Sequence, residues 1–326
     1  MHNMDIEILV ITPVNHIQGV REILDRIGTV SYLEDPTPND VLNNISSKNA
    51  IYTNPNKSKV YIGRDIINAG KNLQVICTAS TGTNHIDTSY ALRRGLTVLS
   101  LREERDVINR ISSTAEHAFA LMLAALRHIP QSFDAVKRGE WDYRKFIGHQ
   151  LDNMTVGVVG YGRLGSYFGR YARAFGSRVL AYDPYKTIED ESINQVELDA
   201  LLSESDIISL HVHVTDETTS MVDNSWFSRI KPSVILVNTS RGEIINELAL
   251  IEFLKEHPSA VLAADVVSNE VNHRHASSLI AYARSAPNVI LTPHIGGMTV
   301  EGQQIAYRHA ARQLRGFFIQ QEAIPE

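Results

Sequence analysis

A chain of 326 residues with 43% hydrophobic and 21% charged residues has room for two domains and is neither disordered nor collagen-like in composition. Its formal charge of −6, with basic residues scattered along the chain, leaves no electrostatic footprint for nucleic acid. A single cysteine, Cys77 in the apolar run LQVICTAS, excludes an internal disulfide and reads as a small buried hydrophobe. The first residues lack a basic stretch followed by an apolar core, and the most apolar helical run, from Ala118, is far too short to span a bilayer, so a soluble cytoplasmic protein with no membrane partner is expected.

Short β-rich runs at 7–12, 50–53, 73–80 and 96–101 alternate with helical pieces at 16–28, 39–46, 64–70 and 88–95. Strand–helix alternation implies parallel pairing and an α/β layer architecture. A longer helix is predicted from Ser112 to Ile129, with Pro130 closing it, and a second over 131–141. The alternation then resumes, with six strand-like runs at 154–160, 178–183, 206–212, 233–240, 260–267 and 288–294. Six such runs separated by helical pieces match a complete doubly wound sheet. The final helix, 299–321, is expected to return to the first sheet. Fold class is therefore α/β, with two doubly wound parallel-sheet domains. Residues 1–103 plus 296–326 form a discontinuous first domain and 104–295 an inserted second, with a cleft between them as the place for a site.

The stretch VGVVGYGRLG places Gly160, Gly162 and Gly165 after one strand and before the helix SYFGRYARAFG. The next strand, RVLAYD, ends in Asp183, 23 residues beyond Gly160. Glycines, flanking strand and helix, spacing and acid together make the dinucleotide fingerprint, in which glycine gives the tight turn, close approach of the pyrophosphate and close helix–strand packing. The helix N-terminus faces the phosphates. Asp183 would accept hydrogen bonds from the adenosine ribose and repel a 2′-phosphate, so NAD is expected rather than NADP.

Three later strand-like runs end in polar residues, where ligands of such sheets bind: Arg241 in VNTSRGEIIN, Asp265 and Glu270 in AADVVSNE, and His294 in NVILTPHIGG. An arginine, a glutamate and a histidine at that edge suit redox chemistry on a 2-oxo or 2-hydroxy acid. The guanidinium holds a carboxylate through two parallel hydrogen bonds, the imidazole passes a proton to or from the oxygen, and a carboxylate beside it favours the imidazolium and orients the ring.

Taken in order, STGTNHID (80–87), STAEHAFALMLAALRHI (113–129), GYGRLG, YDP, NTSRGEIINELAL, AADVVSNE and LTPHIGG resemble the D-isomer-specific 2-hydroxyacid dehydrogenases over nearly the whole chain. The resemblance implies a flavodoxin-like substrate domain with an inserted Rossmann NAD-binding domain, and a homodimer joined around the long helix. By motif match it makes Arg241 the substrate-carboxylate residue, His294 the acid/base and Glu270 its partner, and gives a D product. Asp265 resembles the residue that positions the nicotinamide amide, and Arg163, Leu164 and Thr239 fall in its cofactor-binding stretches. Ser80, Thr81 and Gly82 resemble the loop whose backbone amides meet the substrate carboxylate. The substrate is a small 2-oxo or 2-hydroxy acid, and no metal is implied.

Phosphoglycerate dehydrogenases are similar to this chain in KFIGHQL and STGTNHID but carry arginines just after the strand ending near Thr53, where Asn54 and Asn56 stand here, with Lys57 and Lys59 following. Val267 and Val271 also depart from the family's glutamate motif, and no C-terminal regulatory domain is expected after the last helix. A phosphoglycerate dehydrogenase proper is the close alternative. An NAD-sensing regulatory protein on the same fold is another, against which the intact acid/base set argues. A biosynthetic enzyme acting on a sugar-derived acid is a third. His85 and the run Arg102, Glu103, Glu104, Arg105 fall near the predicted cleft, the run reading first as solvated charge. His273 and His275, without cysteine or acid partners at metal spacing, read as an exposed loop.

Overall fold

The computed structural model describes residues 6–55, 60–270 and 277–322; Asn56, Lys57, Lys59, Val271, His273 and His275 lie outside the described residues. The chain divides into two compact units, Met1–Ile111 with Met298–Glu326, and Ser112–Gly297.

In the first unit, β1 (Glu7–Val10), α1 (Val20–Leu24), β2 (Thr29–Tyr32), α2 (Pro38–Asn44), β3 (Ala50–Thr53), α3 (Arg64–Ala69), β4 (Val75–Thr78), α4 (Thr88–Arg93), β5 (Thr97–Leu99) and α5 (Arg105–Ile108) follow one another. The five strands pair in parallel in the order β2-β1-β3-β4-β5, the flavodoxin-like order. Successive side chains of a strand point to opposite faces. Accordingly Ile8 and Val10 enter one core, and Leu9 and Ile11 the other.

The second unit runs through α6 (Ser113–Leu126), α7 (Ile129–Lys137), β6 (Thr155–Val159), α8 (Arg163–Ala174), β7 (Arg178–Tyr182), β8 (Asn194–Gln195), α9 (Leu198–Glu204), β9 (Ile207–Leu210), α10 (Asn224–Phe227), β10 (Ile235–Asn238), α11 (Glu247–Glu256), β11 (Val261–Ala264), α12 (Ser278–Ala283) and β12 (Val289–Leu291). Its sheet is parallel throughout, ordered β12-β11-β10-β9-β6-β7-β8. The order reverses between β6 and β9, the topological switch point at which open α/β sheets bind ligands. Both faces are covered. Leu236 packs with the side of α9–α11, and Val237 with the side of α6 and α8.

The last helix, α13 (Val300–Glu322), belongs to the first unit. Tyr307, Ala310, Ala311, Leu314 and Phe318 line one buried stripe at helical spacing. They join the core of Ile8, Val10, Tyr52, Val75 and Cys77. Two side-chain hydrogen bonds fix the docking: the Tyr52 hydroxyl donates to the Tyr307 carbonyl at 2.7 Å and the Cys77 thiol to the Ala310 carbonyl at 3.3 Å. Burial pushes the Cys77 thiol pKa up, so it behaves as an inert apolar group.

The structure differs from the sequence expectations in three places. The junction falls at Ile111/Ser112 rather than after residue 103, because Glu104 accepts hydrogen bonds from His309 Nε2 and Gln313 Nε2 of α13, each at 2.9 Å; Arg102, Glu103 and Arg105 are exposed. Pro130 does not close the long helix. His128 at φ 51° breaks the chain, and Pro130 lies in the first turn of α7, where a missing N–H costs nothing. Finally, β2 and β8 are extra edge strands, short and partly or fully exposed, so neither shows the apolar run of a buried strand.

Tyr52→Phe removes the hydroxyl that ties β3 to α13. It is expected to lower unfolding stability by about 1 kcal/mol, read as a lower urea midpoint with an unchanged m-value.

Candidate active site

The glycine turn joins β6 to α8. Gly160 adopts φ +86°, a conformation L side chains rarely adopt, and a Cβ there would lie 2.7 Å from the His211 carbonyl oxygen. A Cβ on Gly165 would lie 2.0 Å from the Gly160 carbonyl oxygen, whereas one on Gly162 meets nothing within 4 Å. The turn is therefore closed on its inner side and open at Gly162, the N-cap of α8, as a pyrophosphate approaching the backbone requires. Arg163 and Leu164 form the partly buried first turn of α8. Asp183, just beyond β7, accepts from the Tyr161 amide at 2.9 Å and the Tyr185 amide at 3.0 Å. These contacts fix the carboxylate beside the turn and use two of its roughly four acceptor positions, leaving capacity for ribose hydroxyls. His211, at the end of β9, bonds Ser209 Oγ through Nε2 at 2.9 Å. Burial drops its pKa to about 3, so the wall of the turn carries no positive charge there.

The second group stands at the ends of β10, β11 and β12, which are adjacent in the sheet. After β10, Ser240 and Arg241 are held by Asn238: its Nδ2 donates to the Arg241 carbonyl at 2.8 Å and its Oδ1 accepts from the Ser240 amide at 3.0 Å. Thr239 is buried between them. Arg241 donates to the Ser240 carbonyl at 2.6 Å. Burial lowers its pKa, opposed by the Glu270 and Glu243 carboxylates. Its neighbour must be glycine, since a Cβ on Gly242 would fall 2.0 Å from the Val267 carbonyl carbon. That contact brings the turn after β10 against the turn after β11. There Glu247 Oε1 accepts from the Ser268 amide at 2.7 Å, Glu243 Oε1 from the Asn269 amide at 3.1 Å, and Glu270 Oε1 from the Val267 amide at 3.0 Å.

Glu270 Oε2 meets His294 Nδ1 at 2.6 Å. The side chains of His294 and Glu270 are 21% and 25% exposed, so solutes reach the pair. A carboxylate on Nδ1 fixes the Nδ1–H tautomer and leaves Nε2, which has no partner among the described residues, to face a reactant. His294 itself lies at φ 54°, an uncommon conformation for a residue with a side chain. Its amide donates to the Asp265 carbonyl at 2.9 Å.

Asp265 is 2% exposed. Its carboxylate takes the Thr292 hydroxyl, the Ile295 amide at 2.9 Å and the Gly296 amide at 2.7 Å, and His117 Nε2 lies 3.3 Å away. Burial pushes its pKa up, but these donors outweigh burial and hold the carboxyl below its usual range.

In the first unit, the loop after β4 is tightly bonded. Ser80 Oγ donates to the Gly82 carbonyl at 2.7 Å and lies 2.9 Å from Thr78 Oγ1, which meets His85 Nε2 at 3.1 Å. His85 is fully buried and braces the loop; Thr81 and Gly82 are partly exposed. Asn54 Nδ2 donates to the Ala79 carbonyl at 2.8 Å, so its amide holds the lead-in to this loop.

The structure thus brings Arg241, Glu270 and His294 to one edge of one sheet, with the glycine turn and Asp183 at the same carboxyl edge. Sequence reasoning missed Glu243, Glu247, Thr292 and His117, which hold the turns rather than face a reactant. The acids at Glu243 and Glu247, four residues apart just after Arg241, were the signal available in the chain.

Against known proteins, the D-isomer specific 2-hydroxyacid dehydrogenase NAD binding domain matches residues 119–296. The chain belongs to this family. A D-3-phosphoglycerate dehydrogenase of Archaeoglobus fulgidus is 38% identical over 250 residues, covering 76% of this chain and 46% of that protein. A hydroxypyruvate reductase of Thermotoga maritima is 36% identical over 248 residues, covering 76% of this chain and 78% of its own. The crystal structure of a D-lactate dehydrogenase of Aquifex aeolicus, complexed with NAD and lactic acid, superposes with a TM-score of 0.81 at 27% identity, covering 96% of each chain. The chain spans about half the length of the Archaeoglobus fulgidus and Synechocystis phosphoglycerate dehydrogenases it matches. The second unit is an NAD-binding domain, and the open glycine turn beside Asp183 fits that cofactor.

Asp183→Ala removes the carboxylate that is expected to disfavour a 2′-phosphate. The preference for NADH over NADPH, measured as the ratio of dissociation constants, is expected to narrow by about tenfold or more.

Proposed function

We propose that the protein is an NAD-dependent dehydrogenase that interconverts a 2-oxo acid and the corresponding D-2-hydroxy acid. The observation that carries this reading is the His294–Glu270 pair at 2.6 Å, with Arg241 at the neighbouring strand end of an NAD-binding sheet. NAD supplies the hydride acceptor or donor for C2. Arg241 grips the substrate carboxylate with two parallel hydrogen bonds. Asp265 and Thr239 border the nicotinamide. In reduction, His294 Nε2 delivers its proton to the C2 oxygen; in oxidation it takes the hydroxyl proton. Glu270 holds the Nδ1 side of the ring throughout and keeps it oriented. The D configuration is that of the family.

Small 2-oxo acids are the proposed substrates, glyoxylate and hydroxypyruvate first. The 38% identity to a phosphoglycerate dehydrogenase favours the phosphorylated substrate as the second reading. Asn54, at the end of β3, supplies no cation for that phosphate. We also propose a homodimer formed through the second unit, where Phe133, Trp141, Tyr143 and Ile147 are 62%, 90%, 81% and 71% exposed, more apolar surface than an isolated unit readily leaves in water. The same reading places the protein in the cytoplasm; among the described residues no helix is long and apolar enough to cross a membrane.

NADH oxidation against a panel of 2-oxo acids that includes phosphohydroxypyruvate tests the assignment. His294→Ala is expected to cut kcat by about 10²–10⁴-fold with NADH affinity within about twofold of the parent; comparable turnover in both proteins overturns the acid/base role. Arg241→Ala is expected to lower kcat/KM by about tenfold to a hundredfold, the worth of a charge-assisted contact; unchanged kinetics overturns the carboxylate role.

A further inference from the structure

His294 is held in an unfavourable backbone conformation by a hydrogen-bonded cluster centred on the buried Asp265. Left-handed residues of this kind carry strain and persist only where their surroundings over-determine them. Here the surroundings are specific. The Asp265 carbonyl accepts the His294 amide. The Asp265 carboxylate spans the same loop from both sides, taking Thr292 before His294 and the amides of Ile295 and Gly296 after it. One buried residue, through its carbonyl and its carboxylate together, thus fixes four of the five residues from Thr292 to Gly296.

That carboxylate is in turn held from α6. His117 Nε2 stands 2.9 Å from Thr292 Oγ1 and 3.3 Å from Asp265 Oδ1, and its side chain is 19% exposed. The Thr292 hydroxyl donates to Asp265, so its oxygen is open to a donor, and the Nε2–H of His117 fills that place. His117, Thr292 and Asp265 form a relay of donors in which each bond polarises the next. It runs from α6, a helix packed on β10 and β11, to the loop that presents the imidazole.

We propose that His117 is a positioning residue for the reaction: through Thr292 and Asp265 it holds the His294 loop in its left-handed conformation and so sets where His294 Nε2 meets the substrate oxygen. The inference rests on the acid/base reading of His294. Its consequence is selective. Arg241 is fixed by Asn238 and by the contact at Gly242, outside this relay, so loss of His117 misplaces the proton donor and leaves the carboxylate grip. A displacement of about 1 Å at a reacting group costs on the order of a hundredfold in rate.

Chemical mimicry gives the test. The side-chain nitrogen of glutamine reaches about where Nε2 of histidine lies, whereas that of asparagine reaches only the Nδ1 position. His117→Ala and His117→Asn are expected to lower kcat by about tenfold to a hundredfold, with KM for the 2-oxo acid within about threefold and NADH affinity within about twofold. His117→Gln is expected to recover most of kcat. In a His294→Ala background, His117→Ala is expected to cost almost nothing further, because the group it positions is gone. Equal activity of the Gln and Asn variants, or an equal loss from His117→Ala with and without His294, overturns the proposal. Those two comparisons also decide the matter if the alanine variant does not fold. If His294→Ala itself turns over normally, the acid/base reading fails instead, which is a different result from an intact His294 dependence with no effect of His117.

Discussion

A parallel strand cannot turn back on its neighbour through a hairpin. Every crossover in the seven-stranded sheet must pass over one face and re-enter in the same direction, and every strand therefore ends at one edge. The glycine turn after β6, Asp183 after β7, Arg241 after β10, Asp265 after β11 and His294 beyond β12 are separated by up to 134 residues of sequence, counted from Gly160 to His294. The common direction of pairing gathers them. Because strands are spaced about 4.8 Å apart, adjacency of β10, β11 and β12 then brings an arginine, a glutamate and a histidine to one short stretch of that edge.

Within that edge, carboxylates do two kinds of work. Glu270 and Asp183 keep part of their acceptor capacity available, whereas Asp265, Glu243 and Glu247 spend theirs on backbone amides of the turns. A buried carboxylate that receives several N–H donors is stabilised in its charged form, as the lowered pKa of Asp265 shows. Such a group is a rigid pin: releasing it would leave a buried charge and several amides unpaired, each costly. The polar groups around His294 thus set geometry, and those facing outward are the ones with capacity to act on a reactant.

The division between what could be read from the chain and what could not follows the same line. Strand cores such as VGVV and VILVN, buried on both faces, appear as continuous apolar runs, and the glycine fingerprint has fixed spacing; both survive translation into sequence pattern. The edge strand Thr29–Tyr32 buries too little to leave a pattern, and the two-residue strand Asn194–Gln195 leaves none. The break before α7 depends on one left-handed residue, His128, while Pro130, the visible signal, has a place on either side of such a break. His117 and Thr292 lie 175 residues apart, and a hydrogen bond between two side chains has no period. His85 and Glu104 reverse their expected emphasis: the first is buried support, and the second is taken up by α13.

The stripe on α13 also has a consequence for how the protein is made. During synthesis residues 7–111 leave the ribosome long before residues 307–318, so Ile8, Val10, Tyr52, Val75 and Cys77 emerge without the helix that covers them in the finished core. The inserted unit, whose contacts all lie within one continuous stretch, can complete its sheet first, since domains generally fold as units as the chain appears. The five-stranded sheet must wait with one face bare. That interval, rather than any weakness in the mature core, is when this chain most needs protection from sticking to its neighbours.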